Sequence, residues 1–155
     1  MVLYYTFHQK TKIFAEVLGH VLNQPVYGLE SDLNKKPIFL FILSALASCF
    51  TKKTYPVTNM PQAIPNEIFI CSPVWGGDFA APVRYFLQNA DLQDVTVNVL
   101  LTASTPTEKY KKNVMETLIK TPCKPGEVYL FATSDKLSPE KDVIIEQLNQ
   151  LLPGQ

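Results

Sequence analysis

The hydrophobic positions of this chain fall into two alternating rhythms. Val2–Tyr5, Pro25–Leu29, Ile68–Cys71, Val95–Leu101 and Glu127–Ala132 are short, mostly apolar runs, of strand length and too brief for helices. Between them apolar residues recur every three or four positions. Ile13, Phe14, Val17, Leu18, Val21 and Leu22 make one helical stripe, Val83, Phe86 and Leu87 a second, and Tyr110, Val114 and Leu118 a third. Ile144, Leu148, Leu151 and Leu152 share the face of a last helix, opened by Ser138-Pro139. Short runs apolar on both faces are strands buried on both sides. Five such strands alternating with helices predict an α/β domain spanning 1–155, a three-layer sandwich with a parallel sheet between helices. Right-handed crossovers leave few strand orders, and 2-1-3-4-5 fits the count.

Prolines and glycines punctuate the pattern. Pro82 suits the first position of a helix over about 82–90. Thr105, Pro106 and Glu108 read as an N-cap, a first helical residue and the partner of a capping box. Pro122 and Pro125-Gly126 read as closing the next connection, and Ser72-Pro73 as breaking the third strand into an exposed loop.

One segment breaks the rhythm. Residues 37–50 are apolar nearly all round, yet well short of the ~20 residues that span a bilayer. They read as a helix covered on several sides. A homodimer contact through 37–50, or contact with a membrane surface, is the alternative kept open by Lys35-Lys36 and Lys52-Lys53 at its flanks.

Charge narrows the function. Fourteen basic and fourteen acidic residues cancel, so no overall field points to nucleic acid or an anionic surface. The three cysteines, Cys49, Cys71 and Cys123, are odd in number and lack metal-ligand spacing, which fits inert thiols in a reducing compartment. With Val2–Tyr5 entering the fold at once, a signal peptide has no room, and a cytoplasmic location is expected.

In a 2-1-3-4-5 sheet the first, third and fourth strands are neighbours, so the loops at their carboxyl ends converge where strand order reverses. The first loop carries Thr6, His8, Gln9, Lys10 and Thr11 ahead of a helix N-terminus, a set of donors suited to an anion. The second carries Pro73, Val74, Trp75, Gly76 and Gly77, suited to a flat aromatic ligand, although Trp75 also fits an ordinary half-buried loop aromatic. The third offers Thr102, Ala103, Ser104 and Thr105. No acid, base or nucleophile stands out.

Ser72-Pro-Val-Trp-Gly-Gly77 followed by Ala81-Pro-Val-Arg-Tyr-Phe-Leu87, together with Tyr4-Tyr5-Thr6 leading into Thr11-Lys12, resembles the flavodoxin family over essentially the whole chain. The resemblance implies a flavodoxin-like fold and non-covalent FMN. Residues 6–11 would hold the phosphate, residues 73–77 would wrap the flavin ring with Trp75 near its face, and residues 102–105 would line its other side. It further implies electron transfer to a redox partner, or a small flavin-dependent reductase. In the family's phosphate loop, usually Thr/Ser-x-Thr-Gly-Asn-Thr, the middle here is His8-Gln9-Lys10, without glycine. The alternative function is a non-catalytic interaction module on the same fold.

Overall fold

The structure, a computed structural model, describes residues 1–7, 9–133, 144–146 and 148. Its strands are β1 (Val2–Tyr4), β2 (Val26–Gly28), β3 (Glu67–Trp75), β4 (Asp78–Phe79), β5 (Thr96–Ala103) and β6 (Lys124–Ala132). The helices are α1 (Lys10–Val21), α2 (Ile38–Thr51), α3 (Ala81–Asn89) and α4 (Glu108–Ile119), with a 3-10 turn at Asp32–Lys35. The sheet runs β2-β1-β3-β5-β6 with all five strands parallel, and β4 pairs antiparallel with the end of β3. Leaving the two-residue β4 aside, the order is the expected 2-1-3-4-5.

Strand alternation sorts the core into two halves. Ile68 and Ile70 point to one face, where they join Val97, Val99, Phe86 and Leu118 from β5, α3 and α4. Phe69 and Cys71 point to the other, against Phe14 and Leu18 of α1 and against Ile144 and Leu148. The predicted last helix contributes those two buried residues; its cap Ser138-Pro139, Leu151 and Leu152 lie outside the described residues. Burial pushes the Cys71 thiol well above its ordinary pKa, so it stays protonated and packs as a hydrophobe. Cys49 and Cys123 are free thiols and only half-buried.

Three sequence expectations shift. Ser72-Pro73 does not break the third strand: β3 continues to Trp75, turns through Gly76 and Gly77, and returns as β4. Both glycines have positive φ, 59° and 82°, as the favoured two-residue hairpin turn requires. The helix expected from Thr105-Pro106 starts later, because β5 runs on to Ala103, whose carbonyl accepts from the Thr133 N–H at 2.8 Å. Thr107, extended at φ −137° and ψ 145°, is the N-cap and makes no side-chain cap bond, so the capping box is not formed. Pro125-Gly126 lies inside β6, with a register irregularity between Val97 and Val99 of the neighbouring strand. Among the described strands β6 is at the sheet edge, where a missing N–H is tolerated.

The fourth difference is larger. The 37–50 segment is helical, as α2, but it is not covered on several sides: only Phe41 and Ser48 are buried. Ile38, Phe39, Ile42, Leu43, Leu46 and Phe50, with Leu40 beside them, are exposed, Phe50 to 86%. At 3.6 residues per turn Phe39, Ile42, Leu43, Leu46 and Phe50 cluster on the arc away from Phe41 and Ser48, with Ile38 and Leu40 at its two margins. No described helix is long and apolar enough to cross a membrane.

One buried arginine fastens α2 to the sheet. Arg84 of α3 is 4% exposed and donates through Nη1 to the Phe79 carbonyl at 2.6 Å. Its Nη2 donates to the Ser48 and Lys53 carbonyls, each at 3.1 Å. Ser48 lies in the last turn of α2, where carbonyls have no intrahelical donor. The guanidinium therefore supplies part of the C-terminal cap that the helix sequence lacks. Desolvation lowers its pKa, and nearby Asp78 opposes that shift.

Candidate functional site

Tyr4, Val74 and Ala103 end or nearly end three adjacent parallel strands, and the chain leaving them meets in one cleft of about 200 Å³. The first loop brings Thr6, Phe7, Lys10 and Thr11 to it; the third strand brings Pro73, Val74 and Trp75; β5 and its exit bring Thr102, Ala103 and Ser104. The convergence expected from strand order is present.

Residue types explain how each wall is held. Tyr5 is fully buried beneath the first loop, and its hydroxyl donates to Asn34 Oδ1 at 2.6 Å. Asn34 Nδ2 in turn donates to the Thr6 carbonyl at 3.1 Å, which ties the 3-10 turn to the loop. Gln9 then takes φ 61° as the N-cap of α1, a left-handed conformation that lets the loop turn into the helix without a glycine. The Gln9 side chain makes no cap bond to this N-terminus. Thr11, buried in the first turn, shares a 2.9 Å hydrogen bond with the hydroxyl of Thr102 across the sheet. Thr102 is also 3.5 Å from the Ser72 carbonyl. The two threonines form one polar floor where α1 meets β5, and the positive end of a helix is electrostatically suited to an anion.

The other side of the cleft is aromatic. Trp75 is half-buried and packs edge-on against Tyr5, ring centroids 5.8 Å apart, and against Phe41 of α2 at 5.5 Å. The flat face of Phe41 carries Phe7, stacked at 3.5 Å with an interplanar angle of 8°. The tryptophan is thus a packed wall rather than a free loop side chain. Ser72 braces this wall: its hydroxyl accepts the Ala80 N–H at 3.1 Å and donates to the Pro73 carbonyl at 2.9 Å, joining β3 to the entrance of α3.

Some expected residues lie elsewhere. Gly76 and Gly77 form the hairpin turn and do not line the cleft. A Cβ on Gly76 would lie 2.6 Å from that of Cys49, and the Gly77 carbonyl accepts from Asn113 Nδ2 at 2.9 Å, so the turn is pinned between α2 and α4. Gln9 shapes the loop without lining the cleft, Thr105 is exposed beyond it, and His8 lies outside the described residues. Conversely, Phe7, Phe41 and Thr133 line the cleft and were not singled out by sequence. Phe41 is one of many apolar residues in α2, and only the fold singles it out.

The chemistry on offer is binding. Among the described lining residues there are hydroxyls, an ammonium and apolar rings, without carboxylate or thiol. Burial raises the pKa of Tyr5 far above neutrality, so its hydroxyl stays a donor to Asn34.

No family model matches this chain, and no curated protein does. Solved structures do. A protein of Bacteroides uniformis assigned as a flavoprotein superposes with a TM-score of 0.76 at 12% identity, covering 96% of each chain. A similarly assigned protein of Bacteroides eggerthii gives 0.69 at 18% identity, over 96% of this chain and 94% of the other. A flavoprotein of Lactobacillus acidophilus in complex with FMN gives 0.63 at 19% identity, over 83% and 90%. With the 2-1-3-4-5 parallel order and helices on both faces, these superpositions establish that the chain has the flavodoxin-like fold.

Proposed function

We propose that the cleft binds FMN and that the chain serves as an electron-transfer protein or a small flavin-dependent reductase. The observation that carries this reading is one cleft with two unlike ends: the α1 N-terminus with Thr11 and Thr102, and the aromatic wall of Phe41 and Trp75. A similarly folded protein whose structure contains FMN supports the choice of ligand.

The residues fit such a ligand by chemistry. Thr6, Lys10, Thr11 and the first amides of α1 would take the phosphate, since the N–H groups that open a helix and the helix dipole both favour a dianion. Phe41, Trp75, Pro73 and Val74 would face the ring, and Thr102, Ala103 and Ser104 the hydroxylated chain. Bound FMN would supply the redox chemistry. The protein's part is to orient it, exclude water and set the local dielectric. Apolar walls disfavour added negative charge and so would lower the reduction potential.

Phe7 now occupies part of that space. The cleft, at about 200 Å³, is below the ~300–1,000 Å³ of ordinary ligand pockets. Because Phe7 lies face-to-face on Phe41, it fills a slot of aromatic thickness that a planar ligand would claim. The same stack is what favours the second reading, an interaction module whose cleft is closed by its own side chain.

Titration of the purified protein with FMN, followed by visible absorbance and flavin fluorescence, separates the two. Saturable quenching at one FMN per chain is expected, and Phe7→Ala should tighten it severalfold. A colourless protein that takes up no FMN, in wild type and Phe7→Ala alike, points instead to the interaction module.

A further inference from the structure

We infer that the outer face of α2 is a docking surface for an anionic lipid membrane. The helix is mounted inside out. Ser48 faces the protein and donates within its own helix to the Ala45 carbonyl at 2.7 Å, while Ser44 is half-buried. Ile38, Phe39, Ile42, Leu43, Leu46 and Phe50 face outward and form one continuous apolar stripe, at spacings of three and four residues. A stripe of this size on the surface needs an occupant.

Charge selects which. From Leu33 to Asn66 the sequence contains no Asp or Glu, while Lys35, Lys36, Lys52 and Lys53 bracket the helix. Lys35 pairs with Asp32 at 2.7 Å and Lys52 with Asp78 at 3.2 Å. Lys36 and Lys53 instead lie over one ring, that of Tyr55, at 5.3 and 5.5 Å from its centroid, and Lys36 also donates to Ser44 Oγ at 3.3 Å. Two ammonium groups from opposite ends of the helix are thus gathered at a tyrosine on its flank. Apolar side chains rimmed by lysines and a tyrosine match a headgroup layer above acyl chains.

A second copy of the chain matches less well. Whether two α2 helices met parallel or antiparallel, lysines at both ends would meet lysines, with no carboxylate in the segment to separate them. The neutral charge of the whole chain conceals this local asymmetry.

The geometry also ties the surface to the cleft. Phe41, on the inner side of the same helix, is a wall of the cleft, so docking would bring the cleft close to the lipid surface.

The test is vesicle flotation of the full chain, with vesicles of phosphatidylcholine and of equimolar phosphatidylcholine and phosphatidylglycerol. Binding to the anionic vesicles that weakens with added salt is expected. The triple variant Phe39→Ser, Leu43→Ser, Phe50→Ser should lose it while keeping the wild-type circular dichroism and melting temperature. Lys36→Gln with Lys53→Gln should weaken it roughly 30-fold, at ~1 kcal/mol per lysine. Equal recovery with neutral and anionic vesicles, or none with either, overturns the proposal. So does a dimer in sedimentation equilibrium that the triple variant dissolves while vesicles go unbound, which would make a second copy the occupant.

Discussion

The helices α2 and α3 are built to opposite plans. In α3 the apolar residues Val83, Phe86 and Leu87 turn inward and are buried. In α2 most apolar residues turn outward, and a serine and one phenylalanine are what the protein keeps. Their sequences differ in the same way. The α3 segment has polar residues, Gln88 and Asn89, on one side to mark which side faces water. The polar residues of the α2 segment are the hydroxyls Ser44, Ser48 and Thr51, which share one side, and Ser48 on that side is buried. The pattern therefore fixes that the segment is helical while pointing to the wrong rotation. Its rotation is set by tertiary ties: Phe41 against Trp75, and Arg84 on the carbonyls of Ser48 and Lys53.

That contrast can be broken by mutation. The largest effect is expected for Phe86→Ala. It removes a fully buried ring from the core half shared with β3 and β5 and should cost about 3–5 kcal/mol in denaturant unfolding. Next comes Arg84→Ala, which strands the Phe79, Ser48 and Lys53 carbonyls. A loss of about 3 kcal/mol is expected, roughly 6–12 °C in melting temperature. Arg84→Lys should recover only part of it, because one ammonium cannot reproduce the planar fork. The smallest effect is expected for Phe50→Ser, within ~0.5 kcal/mol of wild type, although it deletes a phenyl ring from an apolar helix. If Phe50→Ser proved as costly as Phe86→Ala, the outward orientation of α2 would be wrong.

What the sequence disclosed follows from the same physics. The buried strands were legible as short, continuously apolar runs, and the α1, α3 and α4 stripes because each helix has a definite inside and outside. The strand order followed from their alternation. The convergence of Thr6, Lys10, Thr11, Trp75, Thr102 and Ser104 was legible because topology puts those chain positions at one rim. The hairpin was missed although Trp75-Gly76-Gly77-Asp78 carries its signal, two glycines between extended residues. Reading Pro73 as a strand breaker hid it. Pro73 ends no strand here: it sits opposite Thr102 within the β3–β5 pairing. The α4 start was placed too early because Thr105-Pro106-Thr107-Glu108 contains two threonines able to cap, and only the extra length of β5 decides between them. Phe7 and Phe41 were not legible at all. Their stacking depends on the rotation of α2, which is set by tertiary contacts against the hint of its own hydroxyl residues.

The two rims of the sheet have a consequence for how this molecule can assemble. On one side β2 is only three residues long; on the other, β6 opens with Lys124-Pro125-Gly126 and an irregular register. A brief strand and a proline-bearing one are poor templates for adding a further chain by backbone pairing. Growth into extended ribbons is therefore disfavoured at both rims, and the apolar side chains on α2 are the stickier part of the described surface.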